Sequence, residues 1–207
     1  MKKGLLLFIL IGILGGVGCK SEKEITLNKE VLTQKEEIRD RLNGNSMGIY
    51  SVGNLEKGEY KVSITYEEYN KGKLKKSEAI IITEIEIMEN NEIVTIGINK
   101  NNSDKMIFDI SQHNKDRFIA SSTSAWVDSD NIDIKENGFS WNMLDGSSEY
   151  NHIIKLDEEI AIACLNMGDG YATYGMNLGN SFVKPNINDD ILDNKRDIIF
   201  YLKISKI

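Results

Sequence analysis

Few residues in this chain have the types and spacing that enzymatic chemistry needs. The two histidines, His113 and His152, lie 39 residues apart in different segments of the sequence. The chain contains no HxxH, HExxH or CxxC motif, which argues against a metal site of familiar spacing. The string IYSVG at residues 49–53 lacks the first glycine of a GxSxG nucleophile elbow. The sequence leaves open a Ser–His or Cys–His pair that forms only in the fold.

Cys164 has the local sequence of a buried thiol rather than that of a nucleophile. It lies in IAIACLNM, an alternating apolar run. In such a run a cysteine packs as a small hydrophobic side chain, and apolar surroundings make its thiol unreactive. The other cysteine of the chain is Cys19, and the sequence contains no disulfide framework.

Three acidic residues in DSDNIDIKENG, Asp128, Asp130 and Asp133, have the oxygen ligands that calcium prefers. An EF-hand loop requires an oxygen ligand at its fifth position and glycine at its sixth. Here Ile132 and Asp133 occupy those positions, so the EF-hand interpretation fails. We interpret the segment as a solvated acidic turn between strands, with a surface calcium site of another geometry as the alternative. The sequence therefore predicts no metal ligands and no cofactor.

The most unusual stretch of the chain body is GDGYATYGMNLGNS at residues 168–181, which combines four glycines with Tyr171 and Tyr174. It is not a phosphate-binding loop, because it has no GK[ST] sequence. One interpretation is a long connection whose tyrosines pack on the edge of the domain. The other is a ligand-binding loop in which Tyr171 and Tyr174 offer aromatic faces to sugars or peptides.

The elements that position these residues are predicted to be strands. Apolar and polar residues alternate with a period of two in segment after segment, and turn residues separate the segments at hairpin spacing. The sequence therefore predicts an all-β fold, an antiparallel β-sandwich of about nine strands. The predicted strands are residues 60–67, 77–87, 92–99, 106–111, 118–127, 139–144, 150–156, 159–167 and 197–205.

Two further segments precede the sandwich domain, which we expect to span residues 45–207. Residues 19–27 are polar and predict a tether. Residues 28–44 predict a short helix, because Thr33 and Glu36 have capping-box spacing and Asn43-Gly44 is a helix stop signal.

The chain is acidic, with 25 basic and 32 acidic side chains and a formal net charge of −7. Nucleic acids and anionic lipid surfaces are recognised mainly through clustered lysine and arginine. The charge balance therefore argues against nucleic acid as a partner.

The N-terminus has the layout of an export signal. Lys2 and Lys3 are followed by 15 uncharged residues, 4–18, and then by Cys19. This apolar run is short for a membrane span, which needs about 20 residues, but it fits the apolar region of a signal peptide, which has about 7–15.

The end of this run, Gly16-Val17-Gly18-Cys19, resembles the lipobox of bacterial lipoproteins. In that family the peptide is cut directly before the cysteine, which carries a thioether-linked diacylglycerol. The resemblance, which covers residues 1–19, implies that residues 1–18 are removed and that Cys19 is lipidated. It also implies attachment to the extracytoplasmic face of the cell membrane, where two acyl chains suffice for stable anchoring.

Taken together, these features predict a lipid-anchored, extracytoplasmic β-sandwich that acts as a binding or interaction module at the cell envelope. Its ligand would be a protein, a peptide or a glycan. The alternatives are a hydrolase that acts on envelope material and a calcium-stabilised structural module.

Overall fold

The protein is described from a computed structural model. The described residues are 24–30, 33, 35, 46–89, 92–100, 105–114, 117–128, 139–143, 152–167, 184 and 196–207. No helix among them has the length and apolar character that crossing a membrane requires.

Eleven β-strands lie within the described residues. They are β1 (Ile25–Lys29), β2 (Ser46–Gly53), β3 (Gly58–Asn70), β4 (Lys73–Ile87), β5 (Glu92–Lys100), β6 (Lys105–Asn114), β7 (Arg117–Asp128), β8 (Phe139–Met143), β9 (His152–Ile154), β10 (Glu159–Met167) and β11 (Arg196–Lys206).

The strands form two antiparallel sheets. A six-stranded sheet has the order β7-β6-β5-β2-β1-β9, and a five-stranded sheet has the order β4-β3-β11-β10-β8. Strands β3 to β11 correspond to the nine predicted strands, while β1 and β2 were not predicted.

The two sheets pack face to face around a hydrophobic core. The rings of Phe108 in β6 and Phe200 in β11 lie with their centroids 5.2 Å apart. The buried Tyr50 hydroxyl of β2 donates a hydrogen bond of 2.9 Å to the carbonyl of Ile162 in β10. Because each contact joins one sheet to the other, the prediction of an antiparallel β-sandwich is confirmed.

The core follows directly from the period-two pattern of the sequence, since successive side chains of a strand point to opposite faces. In β3, the inward side chains Tyr60, Val62, Ile64 and Tyr66 are all at most 3% exposed. Strand β11 is buried on both faces, which agrees with its central position in the five-stranded sheet.

The β3–β4 hairpin closes with a two-residue turn. Asn70 pairs with Lys73, and the two residues between them, Lys71 and Gly72, have φ angles of 46° and 71°. Two central residues with positive φ are the mark of a type I′ turn, whose twist matches that of the flanking strands.

The prediction for residues 19–44 is wrong where β1 lies. The last three residues of the predicted tether and the first two of the predicted helix form this strand, which pairs with β2 and β9. The inward side chain of Leu27 is fully buried, and this long-range packing outweighs a weak local preference. Lys35 has helical backbone, while residues 31–32, 34 and 36–45 lie outside the described residues.

Candidate binding face

Several residues singled out in the sequence lie outside the described residues. These are the predicted lipidation site Cys19 and the two loop tyrosines, Tyr171 and Tyr174. Most of the acidic segment 128–138 also lies outside them. Within the part of the chain that the structure describes, no three His, Cys, Asp or Glu side chains lie together as metal ligands would.

The structure does not bring Cys164 together with either histidine. His113 lies on the outer face of the six-stranded sheet, where its ring is 3.3 Å from the Thr95 hydroxyl. His152 points inward from β9 and is buried, beside Leu27 of β1. Cys164 lies on the far side of the sandwich, in the five-stranded sheet. These residues therefore do not form the Cys–His pair that the sequence left open.

Cys164 is fully buried, as predicted, and belongs to a small polar network. Its thiol is 3.4 Å from Oδ1 of Asn166, and the Asn166 amide donates a hydrogen bond of 2.7 Å to Asp197. All three side chains are 0% exposed. Without solvent access the thiol cannot meet a substrate, and the network acts as a structural link between β10 and β11.

The only described residue of segment 168–195 is Lys184, which is held on the outer face of the five-stranded sheet. Its ammonium group lies 2.5 Å from Glu67 and 2.9 Å from Glu159, and 4.9 Å from the centre of the Tyr201 ring. Tyr69 donates a hydrogen bond to the other oxygen of Glu67. We call these five residues the Lys184 cluster.

The electrostatics of the Lys184 cluster indicate a structural role. Burial lowers the pKa of Lys184, but its hydrogen bonds to Glu67 and Glu159 outweigh burial and raise it overall. Burial, together with the hydrogen bond to Glu67, raises the pKa of Tyr69 to about 12. Burial also raises the pKa of Tyr201, with the neighbouring Tyr69 as a second cause. All three of these side chains therefore stay protonated near neutral pH, so none of them is suited to act there as a general base.

The outer face of the six-stranded sheet carries a continuous row of hydroxyl and amide side chains. The pairing register places Ser122 beside Ser111, Ser111 beside Thr95, Thr95 beside Ser51, and Ser51 beside Asn28. Directly opposed residues share a face, so one row crosses five adjacent strands, β7, β6, β5, β2 and β1. We call these five residues the hydroxyl row.

The dimensions of the hydroxyl row follow from sheet geometry. Neighbouring strands lie about 4.8 Å apart, so four intervals give a row of roughly 19 Å. Ser122, at the β7 end, is exposed to solvent. Ser51, near the other end, is only 9% exposed. Two members already have side-chain partners, since the Thr95 hydroxyl lies 3.3 Å from the His113 ring and the Asn28 amide nitrogen donates a bond of 3.4 Å to Thr26. The buried Oδ1 of Asn28 has no partner within the described residues, so the row keeps hydrogen-bonding capacity that the protein does not use.

The residues beside the row include small, hydrogen-bonded and apolar side chains, since Ile49 and Ile93 stand on the same face opposite Gly97 and His113. The Ser124 hydroxyl donates a bond of 2.6 Å to Asp109 in the next row of the same face. Gly97, opposite Asp109, adds no side chain of its own. Asp109 is the one carboxylate that we find among the neighbours of the row in the described strands, and Ser124 occupies one of its oxygens. The row and its neighbours therefore carry little charge.

The outer face of the five-stranded sheet has the opposite character. Lys61 pairs with Glu84 across β3 and β4, and Glu159 pairs with Lys203 across β10 and β11. Such cross-strand pairs of opposite charge are usual on a solvated sheet face. The two outer faces of the same sandwich therefore differ in chemistry, and within the described strands the long uncharged row lies on the six-stranded sheet.

The hydroxyl row was not identified from the sequence. Its members come from five strands, and β1 and β2, which supply Asn28 and Ser51, were not predicted. The local signal was the serine and threonine at outward positions of β5, β6 and β7. That signal could identify a polar face, but it could not identify which residues stand side by side.

Comparison with known proteins does not add to this description. A scan against family models and searches of curated proteins and of solved structures found no match to the chain.

Proposed function

We propose that this chain is a binding module that a lipid on Cys19 holds at the extracytoplasmic face of the cell membrane. The observation that carries the proposal is the hydroxyl row, which crosses five adjacent strands on one outer face of the sandwich. Polar groups with unused hydrogen-bonding capacity on a rigid sheet give a ligand orientation and specificity. The six-stranded sheet is therefore the proposed binding face.

Strand β1 sets the distance between the proposed anchor and the domain. With the strand beginning at Ile25, the tether between Cys19 and the sandwich is residues 20–24. Five residues span at most about 18 Å. A lipid on Cys19 would therefore keep the sandwich close to the bilayer, where envelope material is the available ligand.

The anchor is tested by exchanging its cysteine. We expect Cys19→Ser to release the protein from membranes or to leave the precursor uncleaved, because serine cannot form the thioether. Membrane fractionation and the mass of the mature protein measure both effects. Cys164→Ser is the control, since this thiol is buried in the domain. Normal processing and unchanged membrane partitioning of Cys19→Ser would contradict the proposed anchor.

The binding face is tested by removing hydroxyl groups while preserving shape. The row variant carries Ser51→Ala, Thr95→Val and Ser111→Ala, which introduce no charge and keep a β-branched residue in the middle strand. We measure how much of the purified full chain, in detergent, is retained by washed envelope fragments. Retention of the row variant should fall at least fivefold.

The control variant makes the same three exchanges on the other outer face, as Ser63→Ala, Thr65→Val and Ser205→Ala. These residues lie outward on β3 and β11 of the five-stranded sheet. The control variant should be retained like the unaltered protein. If the row variant were retained as well as the control variant, with both folded by circular dichroism, the hydroxyl row would not be the binding face.

A further inference from the structure

We infer that the hydroxyl row binds a neutral, extended polysaccharide. The inference rests on the proposed function and specifies its ligand. It draws on four features of the six-stranded sheet: unused hydrogen-bonding groups, lack of charge, composition, and length.

The first feature is the unused hydrogen-bonding capacity of the face. Ser51, a member of the row, is only 9% exposed. On the same face, Oδ1 of Asn28 and Oδ1 of Asn99 are buried without a partner. Buried polar groups are normally satisfied, and each exception calls for a reason. A ligand rich in hydroxyl groups supplies both donors and acceptors for such a surface.

The second feature is the lack of charge. Anionic ligands are held by lysine and arginine, and none of the five members of the row is charged. Asp109 beside the row and the net charge of −7 would both repel a polyanion. A ligand without charge is therefore the one that this face complements.

The third feature is composition, which separates a glycan from a protein partner. The cores of protein–protein interfaces are enriched in aromatic residues, methionine and arginine, and depleted of serine. The hydroxyl row has the reverse composition, with three serines, one threonine and one asparagine. Hydrogen bonds therefore dominate what the row itself offers, while the apolar side chains Ile49 and Ile93 lie beside the row and not in it.

The fourth feature is the length of the row. It extends for roughly 19 Å, with hydroxyl or amide groups on all five of its strands. A single sugar unit would touch only part of it, whereas an extended polymer can contact every strand at once. Several weak contacts on one rigid surface then add into useful affinity.

The inference is tested with two pools of polysaccharide released from the same envelope. Ion exchange separates them into a neutral pool and an anionic pool, and each is titrated against the full chain in detergent. The unaltered protein should bind the neutral pool. The row variant should bind it at least tenfold more weakly, because three hydroxyl groups are lost, while the control variant should bind like the unaltered protein.

Three other outcomes would each contradict one part of the inference. If the unaltered protein bound only the anionic pool, the inference of a neutral ligand would be wrong, but a row-dependent binding function would stand. If it bound neither pool while envelope retention still depended on the row, the ligand would be a protein and not a glycan. If the row variant bound the neutral pool like the unaltered protein, the row would not be the polysaccharide site.

Discussion

The hydrogen bond from Tyr50 to Ile162 offers a direct test of how the two sheets pack. In the pairing of β10 with β11, the register shifts between Ala161 and Ala163, which makes Ile162 the extra residue of a β-bulge. A bulge interrupts the ladder of backbone hydrogen bonds locally. Tyr50 is 0% exposed, and its hydroxyl donates a hydrogen bond of 2.9 Å to the Ile162 carbonyl of the opposite sheet.

The perturbation is Tyr50→Phe, which removes the hydroxyl and preserves the buried ring. The variant loses one buried hydrogen bond and leaves the Ile162 carbonyl without this donor from the opposite sheet, which together cost about 2 kcal/mol. For a chain of this size each kcal/mol shifts Tm by about 2–4 °C, so Tm should fall by roughly 4–8 °C. Urea unfolding followed by circular dichroism gives the free energy of unfolding directly.

Tyr60→Phe is the matched control. The Tyr60 hydroxyl also donates to a backbone carbonyl, that of Glu56, at 3.0 Å. Glu56 is exposed, so water can replace the lost hydroxyl. We expect a loss of about 0.5 kcal/mol. Equal losses for Tyr50→Phe and Tyr60→Phe would refute the argument that a buried bond between the sheets stabilises the sandwich.

Two further predictions concern the Lys184 cluster. Lys184→Met should lower the free energy of unfolding by about 2 kcal/mol, because it leaves the buried Glu67 carboxylate without its cation. Lys206→Met, which breaks a solvent-exposed pair, should change it by about 0.5 kcal/mol or less, and equal losses in urea unfolding would contradict this. Alkaline pH should also destabilise the fold. The pKa values of Tyr69 and Tyr201 are raised above 10 by burial, so stability is fully present below pH 10 and is lost as pH rises toward about 12. Tyr69→Phe with Tyr201→Phe should flatten this decline in urea titrations at increasing pH, and an unchanged slope would show that other groups cause it.

Most of the fold could be predicted because strand periodicity is a local property. Where alternate residues are apolar and β-branched, as in β3 and β4, the sequence reveals both the strand and its buried face. The missed strand β1 has only two apolar residues, Ile25 and Leu27, and the helix signals directly after it favoured a different structure. Its pairing with β2 and β9 depends on residues far away in the chain.

The candidate sites also differ in how far the sequence could predict them. The buried state of Cys164 was predicted correctly, because the apolar run around it is a local signal. The lipid anchor at Cys19 and the binding role of Tyr171 and Tyr174 stay predictions, since these residues lie outside the described part of the chain.

The sequence by itself determined an all-β fold, the inward face of most strands and the acidic character of the chain. These properties depend on side-chain type at alternating positions and on a sum of charges. Only the tertiary structure decided which strands are neighbours. Ser122 and Asn28 are 94 residues apart in sequence, yet strand pairing places them at the two ends of one row. The physical reason is that register joins residues through backbone hydrogen bonds between distant segments, and no local pattern encodes those partners.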